Sequence, residues 1–255
     1  MKIFATYNIK GGVGKTSAAV NLAYLAGRDG YRTLLWDLDP QGAASFMFRV
    51  RPRVKGGAKA LIRGSRPLDE AIKGTDFDGL DLLPADFTYR NMDLALHKQK
   101  QPTRQLARLL DPLAQEYDIV FLDCPPSISL VSENILHAVD TLLVPVIPTT
   151  LSQRTFDQLT SFIESLDGAR PSVLAFFSMV DRRKRLHREI SAALPAERSD
   201  IAQTAIPALT QVEQMAVRRA PVADFAPRSA AAHAYAELWR ELRVRAGLGE
   251  LTRLA

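Results

Sequence analysis

The stretch "NIKGGVGKTS", residues 8–17, decides how this chain is read. It follows the apolar run "KIFATYN" (2–8), a predicted strand, and precedes a helix-period segment beginning at Lys15 or Thr16. A strand, a glycine-rich turn and a helix start bring backbone N–H groups and the positive end of the helix dipole together on a phosphate. Gly11, Gly12 and Gly14 let the main chain approach closely. Lys15 places an ammonium against the β- and γ-phosphates, and the Thr16 hydroxyl is a candidate ligand of Mg²⁺. Lys10 to Ser17, with Val13 and Ser17 included, is the candidate nucleotide-binding stretch. The common spacing G-x-x-x-x-G-K-[ST] is not met, because Ile9 occupies its first glycine position. The sequence has K-G-G-V-G-K-T instead, with a second lysine, Lys10.

Around this loop, short apolar runs alternate with longer helix-period segments, the pattern of βα units on a mostly parallel sheet. Strands are expected at 2–8, 32–39, 80–85, 118–124, 141–148, 172–180 and 203–207. Helices are expected at 15–29, 104–116, 130–138, 151–167, 184–194, 210–219 and 229–246. Most of the strands are apolar on both faces, as strands covered by helices on both sides are. The fold class is therefore α/β, a mostly parallel twisted sheet flanked by helices on both faces. No repeat or linker divides it, so a single domain over 1–255 is expected. The segment 43–78, with "FRVRPRVKGGAKALIRGSRP", is basic and rich in Gly and Pro and reads as a surface loop with short helices.

The 255 residues carry a formal charge of +5 and a pI near 9.4, which suits an anionic partner but equally suits an arginine-rich genome. Cys124 is the only cysteine, which excludes an internal disulfide and points to a reducing compartment. No apolar run reaches the roughly 18 residues of a spanning helix. A cytoplasmic protein is expected.

Three further segments stand in order behind the phosphate loop: "DLDPQG" (37–42), "FLDCPPS" (121–127) and "IP…RRAPVADFAPRSAAAHAYAELWREL" (206–242). With K-G-G-V-G-K-T they resemble the ParA/MinD family of deviant Walker-A P-loop ATPases, over about residues 2 to 245, and are most similar to its short ParA partition members. The resemblance implies Mg·ATP as ligand, slow hydrolysis to ADP and phosphate, and a homodimer that forms around ATP. It also implies a role for Lys10, which would reach the phosphates bound by the other subunit, much as an arginine finger does. Lys10, Lys15 and Asp39 are then the candidate catalytic residues, Asp39 governing the attacking water.

Asp123 closes the run "IVFLD" as the second acidic residue of a hydrolysing site, and Thr16, Asp39 and Asp123 are the candidate metal shell. Asp37 either supports that shell or merely ends its strand. Cys124 reads as a small buried side chain rather than a nucleophile. By the resemblance, adenine lies between loops near Met179 to Arg182 and near Pro207. Many relatives have Arg directly after the "IP" pair, where this chain has Ala208.

The partition branch displays a surface for nonspecific DNA and answers to a hydrolysis-stimulating partner, ParB-like or a cargo adaptor, at the nucleoid. Candidate DNA contacts are Arg182, Arg183, Lys184 and Arg185, with Arg188 behind them, and the pair Arg218 and Arg219. The stretch Arg49 to Arg66 serves equally as a second polyanion site or a solvated loop. A MinD-like membrane ATPase would need an amphipathic tail, but Trp239 and Leu242 read as the core face of the last helix. A metabolic ligase of the same fold would need its own substrate pocket. A cluster-bearing reductase is excluded by the single cysteine.

Overall fold

The computed structural model describes residues 1–65, 67–168 and 170–249. Arg66 and the tail from 250 onward, which the sequence reading included, lie outside the described residues. In the first half, strands β1 (Lys2–Thr6), β2 (Thr33–Asp37), β3 (Lys73–Gly74), β4 (Leu80–Leu83) and β5 (Ile119–Asp123) accompany helices α1 (Lys15–Arg28), α2 (Ala43–Met47), α3 (Gly57–Ile62), α4 (Met92–Leu96) and α5 (Gln105–Leu110). The second half carries α6 (Leu130–Ala138), β6 (Thr141–Val146), α7 (Thr150–Ser165), β7 (Ser172–Phe177), α8 (Arg185–Glu197), α9 (Thr210–Arg218), α10 (Val222–Phe225) and α11 (Ala230–Arg245).

The strands form one sheet in the order β3-β4-β2-β5-β1-β6-β7, parallel throughout except for β3 against β4. Alternation along the strands sorts side chains to two faces. Leu34, Trp36, Val120 and Leu122 join a core with residues of α3 to α7, while Leu35, Ile119, Phe121 and Phe4 join one with α1, α2 and α9 to α11. Because both faces are buried, β2 and β5 have no exposed position, which is why they read as unbroken apolar runs. Trp239 and Leu242 are buried in the second core, and the Trp239 indole N–H donates to Asp29 at the end of α1 (2.8 Å). Among the described residues no helix is long and apolar enough to cross a membrane.

Three expectations need correction. Segment 203–207 is not a strand: it meets β7 and its extension through one isolated bridge, Val180–Pro207, with the Ile206 N–H donating to the Phe177 carbonyl (2.7 Å), and a second bridge, Ala175–Ile201, lies just before it. The Gln203 and Thr204 N–H groups donate instead to the two Glu241 carboxylate oxygens (2.9 and 3.0 Å), and Pro207 has no N–H to give. Segment 43–78 is more than a surface loop, because Ala44, Val54, Ala58, Leu61, Ile62 and Leu68 enter the core, and Lys73–Gly74 add a short antiparallel edge. The helix expected over 104–116 tightens to a 3₁₀ turn from Asp111, where Pro112 removes a donor.

Candidate nucleotide site at the carboxyl ends of the strands

The loop between β1 and α1 is fixed at both ends. Asn8 donates from Nδ2 to the Pro145 carbonyl on β6 (2.8 Å) and accepts the Lys10 N–H on Oδ1 (2.9 Å). Gly14 ends the loop in the left-handed region (φ 94°), and no side chain caps α1. The first N–H groups of α1 are thus left for an anion to satisfy. Gly14 also lies so close to the next wall that a Cβ there would stand 2.8 Å from the Ser178 Oγ. Lys15 is buried, and its Nζ donates back across the loop to the Lys10 carbonyl (3.0 Å). Burial lowers the Lys15 pKa, against the pull of Asp123, Cys124 and Asp39.

Two carboxylates, Asp123 and Asp39, act on the charge of this lysine, and Asp37 stands beside Asp123 at the ends of β2 and β5. Asp37 and Asp123 are register partners, both fully buried. Asp37 Oδ2 accepts from the Ser45 N–H (2.8 Å) and hydroxyl (2.7 Å), and Ser45 Oγ in turn accepts the Ala85 N–H (2.9 Å). Asp37 Oδ1 and Asp123 Oδ2 have no hydrogen-bond partner. Burial raises the pKa of both acids, each sharpened by the other's charge or by Asp39, while the nearby Thr16 hydroxyl favours the charged form of Asp123, whose Oδ1 accepts from the Thr6 hydroxyl (3.4 Å). Two adjacent buried carboxylate oxygens without donors are costly unless a cation meets them. With the Thr16 hydroxyl, which acts on Asp123, the Asp123 oxygen would offer Mg²⁺ the all-oxygen ligation it takes. Asp37, read as either a strand end or a metal support, uses one oxygen to hold α2 and keeps the other unpartnered. Asp39 is half-buried and accepts the Gln41 N–H (2.9 Å).

A cleft of about 360 Å³ lies against the phosphate loop, lined on one side by Gly11, Gly12, Gly14, Lys15, Thr16, Ser17 and Asp39, with Asp37 and Asp123 behind this lining. Met179 and Pro207 form its far wall with Ala208, Val212, Glu213 and Tyr235. The two loops of that wall are tied by Val180 N–H to Ile206 (3.0 Å) and Ala208 N–H to Val180 (3.0 Å). Met179 is held at φ 56°. Val13 is buried beneath the loop, and Lys10 is half-buried outside the lining. Sequence reasoning missed Asn8, Ser45 and Glu213. Only the position of Asn8 at the loop's mouth gave a signal. Cys124 is fully buried with its thiol toward the Leu122 carbonyl, and burial raises its pKa, so it is a packed thiol.

The basic candidates lie elsewhere. Arg182, Arg183, Lys184 and Arg185 form the exposed turn into α8. Arg183 forks onto Asp181 (3.0 Å twice), Arg185 pairs with Glu189 (2.6 Å), and Arg188 donates to the Arg182 carbonyl (2.8 Å). Arg218 is exposed in the last turn of α9, where its charge also suits the helix dipole. Arg219 follows in the left-handed region and donates from Nε to the Phe46 carbonyl (2.9 Å).

A family model described as an AAA domain matches residues 1–175. The chromosome-partitioning ATPase Soj of Thermus thermophilus is 34% identical over 248 residues, spanning 94% of this chain and 95% of that protein. The chromosome partitioning protein ParA of Myxococcus xanthus is 29% identical over 250 residues, 96% of this chain and 88% of the relative. Cobyrinic acid a,c-diamide synthase of Mycobacterium smegmatis, solved with a bound ATP analog and magnesium, shares the fold with a TM-score of 0.80 at 24% identity, covering both chains in full.

Proposed function

The chain belongs to the ParA/MinD family of P-loop ATPases, and from that premise we propose that it hydrolyses Mg·ATP slowly, dimerises around the nucleotide and, as a dimer, binds DNA without sequence preference to position or segregate a cargo. One observation carries the reading. An uncapped helix start, a shielded lysine ammonium and the Asp39 carboxylate line a single cleft, and the buried Asp123, one of whose oxygens has no partner, acts on the charge of that lysine.

In this reading the phosphates take the α1 N–H groups, and Lys15 exchanges the Lys10 carbonyl for the β- and γ-oxygens. Thr16, Asp123 and Asp39 would hold Mg²⁺, which when bound would supply neutralising charge to the phosphates. Asp39 orients a water against the γ-phosphorus; the new P–O bond forms as the bridge to the β-phosphate breaks. Lys10 acts on the partner's nucleotide, so the second charge is present only in the dimer. Hydrolysis then removes part of what holds the halves together, and a partner protein sets its rate. Met179, Pro207 and Tyr235 offer the base an apolar wall. Arg218 and the turn Arg182 to Arg185 are the nucleic-acid contacts, needing charge and reach but no base readout.

Sedimentation with ADP, ATP and a slowly hydrolysed analogue, each with and without DNA of arbitrary sequence, tests this. A dimer with ATP or analogue and DNA binding only in that state are expected. A monomer in every nucleotide state would refute the dimer, and turnover that required a small metabolite would point to a ligase instead.

A further inference from the structure

Two basic segments far apart in the sequence meet beside the nucleotide site. A cavity of about 560 Å³ opens between α2 and α9, bounded by Gln41, Phe46, Arg49, Arg51, Ala216 and Arg219. Three arginines and no acidic side chain line it. Among the described residues Arg51 and Arg219 pair with no carboxylate, while Arg49 pairs with the exposed Asp76 (2.6 Å), which lies outside the lining. Arg219 is steered by its Nε bond to the Phe46 carbonyl and by stacking 4.6 Å from the Phe46 ring centroid, which leaves its two terminal amino groups for another acceptor.

Backbone geometry singles out the same place. Three non-glycine residues among those described have left-handed φ: Met179 in the nucleotide cleft, and Arg49 (60°) and Arg219 (51°), both in this cavity. Side-chain-bearing residues disfavour that region, and such exceptions gather where ligands are clamped. The cavity also shares a loop with the cleft. Gln41 and Gly42 line the cavity, and the Gln41 N–H is held by the Asp39 carboxylate that lines the cleft.

We propose that this cavity is a phosphodiester-backbone site for DNA, in which Arg49, Arg51 and Arg219 grip phosphates beside Arg218 and whose shape follows the Asp39 loop. The inference rests on the DNA-binding reading above and assigns that reading a place. Arg49 and Arg51 stand exposed at the rim of the groove and Arg219 is half-buried over the exposed Phe46 ring; charges clustered round a groove with a single aromatic ring suit a strand of phosphodiester backbone, whereas a bilayer-binding face sets an apolar stripe beside its charges. The Asp39–Gln41 hydrogen bond ties the cavity to the cleft, so a ligand that displaced Asp39 would also displace the Gln41 backbone.

The test is anisotropy of a labelled random duplex with an ATP analogue, titrated across roughly 50 to 200 mM salt. Arg49→Gln combined with Arg51→Ala is compared with the parent, with Arg51→Lys, and with a charge-matched pair on the other face, Arg108→Gln with Arg154→Gln. The cavity variant should bind roughly tenfold more weakly, its slope of log K against log salt falling by about 2 per engaged protomer; Arg51→Lys and the remote pair should bind like the parent. Melting within about 2 °C of the parent establishes the fold. An unchanged slope in the folded cavity variant overturns this site and leaves the DNA reading standing. Absence of duplex binding by the parent in every nucleotide state overturns both. Loss of binding to phosphatidylserine vesicles with duplex binding intact would mean a membrane surface and also overturns the site.

Discussion

Substituting Gly14 by Ala probes the contact between the phosphate loop and the base wall. At φ 94° a residue with a Cβ is strained by about 1–2 kcal/mol. The added methyl would stand 2.8 Å from the Ser178 Oγ, and turning that hydroxyl aside costs about 0.5–1.5 kcal/mol more. Together these amount to about 2–3 kcal/mol, which in a chain of this size lowers the melting temperature by roughly 5–10 °C. Scanning calorimetry of Gly14→Ala, Ser178→Ala and the double variant separates the terms. Ser178→Ala should return only the hydroxyl's share in the Gly14→Ala background, leaving the backbone share. Nucleotide affinity should fall in both Gly14→Ala proteins, because the strained loop no longer presents its N–H groups. Full recovery in the double variant would refute the backbone argument, no recovery would refute the contact, and an unchanged melting point in Gly14→Ala would refute both.

Lys15→Ala should lose nucleotide affinity by equilibrium dialysis, whereas Lys10→Ala should keep most of it and fail to dimerise; identical behaviour would remove the trans role of Lys10. Asp39→Ala should still bind ATP and persist as a dimer with little phosphate release, and parental turnover would clear Asp39 of its part. Asp123→Asn should melt at or above the parent without metal, since one of two adjacent buried carboxylates is gone, yet lose the Mg²⁺-dependent stabilisation of about 3 kcal/mol expected near 100 Kd of nucleotide; equal Mg²⁺ shifts would argue against a metal here. Desolvation pushes Glu241 up, but the Gln203 and Thr204 N–H groups and Arg245 outweigh it and hold its pKa below the ordinary value. A depressed carboxylate stabilises above its unfolded pKa and stops doing so as pH falls through the folded one. Parent melting should therefore drop faster than that of Glu241→Gln between about pH 5 and pH 3, and parallel curves would count against the linkage.

The phosphate loop and Asp123 could be read from the chain because phosphate chemistry fixes both residue type and spacing, and because buried parallel strands appear as apolar runs that stop at their functional ends. The roles of Asn8 and Ser45 could not. Each bonds to a partner on another strand or loop, Pro145 in one case and Asp37 in the other, and no local pattern marks such a pairing. Segment 203–207 misled because Ile206 faces the core and reaches β7, with its N–H on the Phe177 carbonyl, while the Gln203 and Thr204 N–H groups go to Glu241. In 43–78 the arginines and glycines mask a sparse apolar set, Val54, Ala58, Leu61 and Leu68, of which only Ala58 and Leu61 fall in one helix, α3, while Val54 and Leu68 reach the core from the turns on either side. The meeting of Arg49 with Arg219 depends wholly on α2 packing against α9.

The two margins of the sheet are each blunted. On one, the ladder ends in two exposed residues, Lys73 and Gly74, running against their neighbour; on the other, residues 201–207 lie along the last strand with two N–H groups already taken by Glu241. Neither side offers an open row of donors and acceptors for strand addition, the usual route to amyloid-like stacking. Margins closed in this way disfavour backbone pairing between copies of the chain.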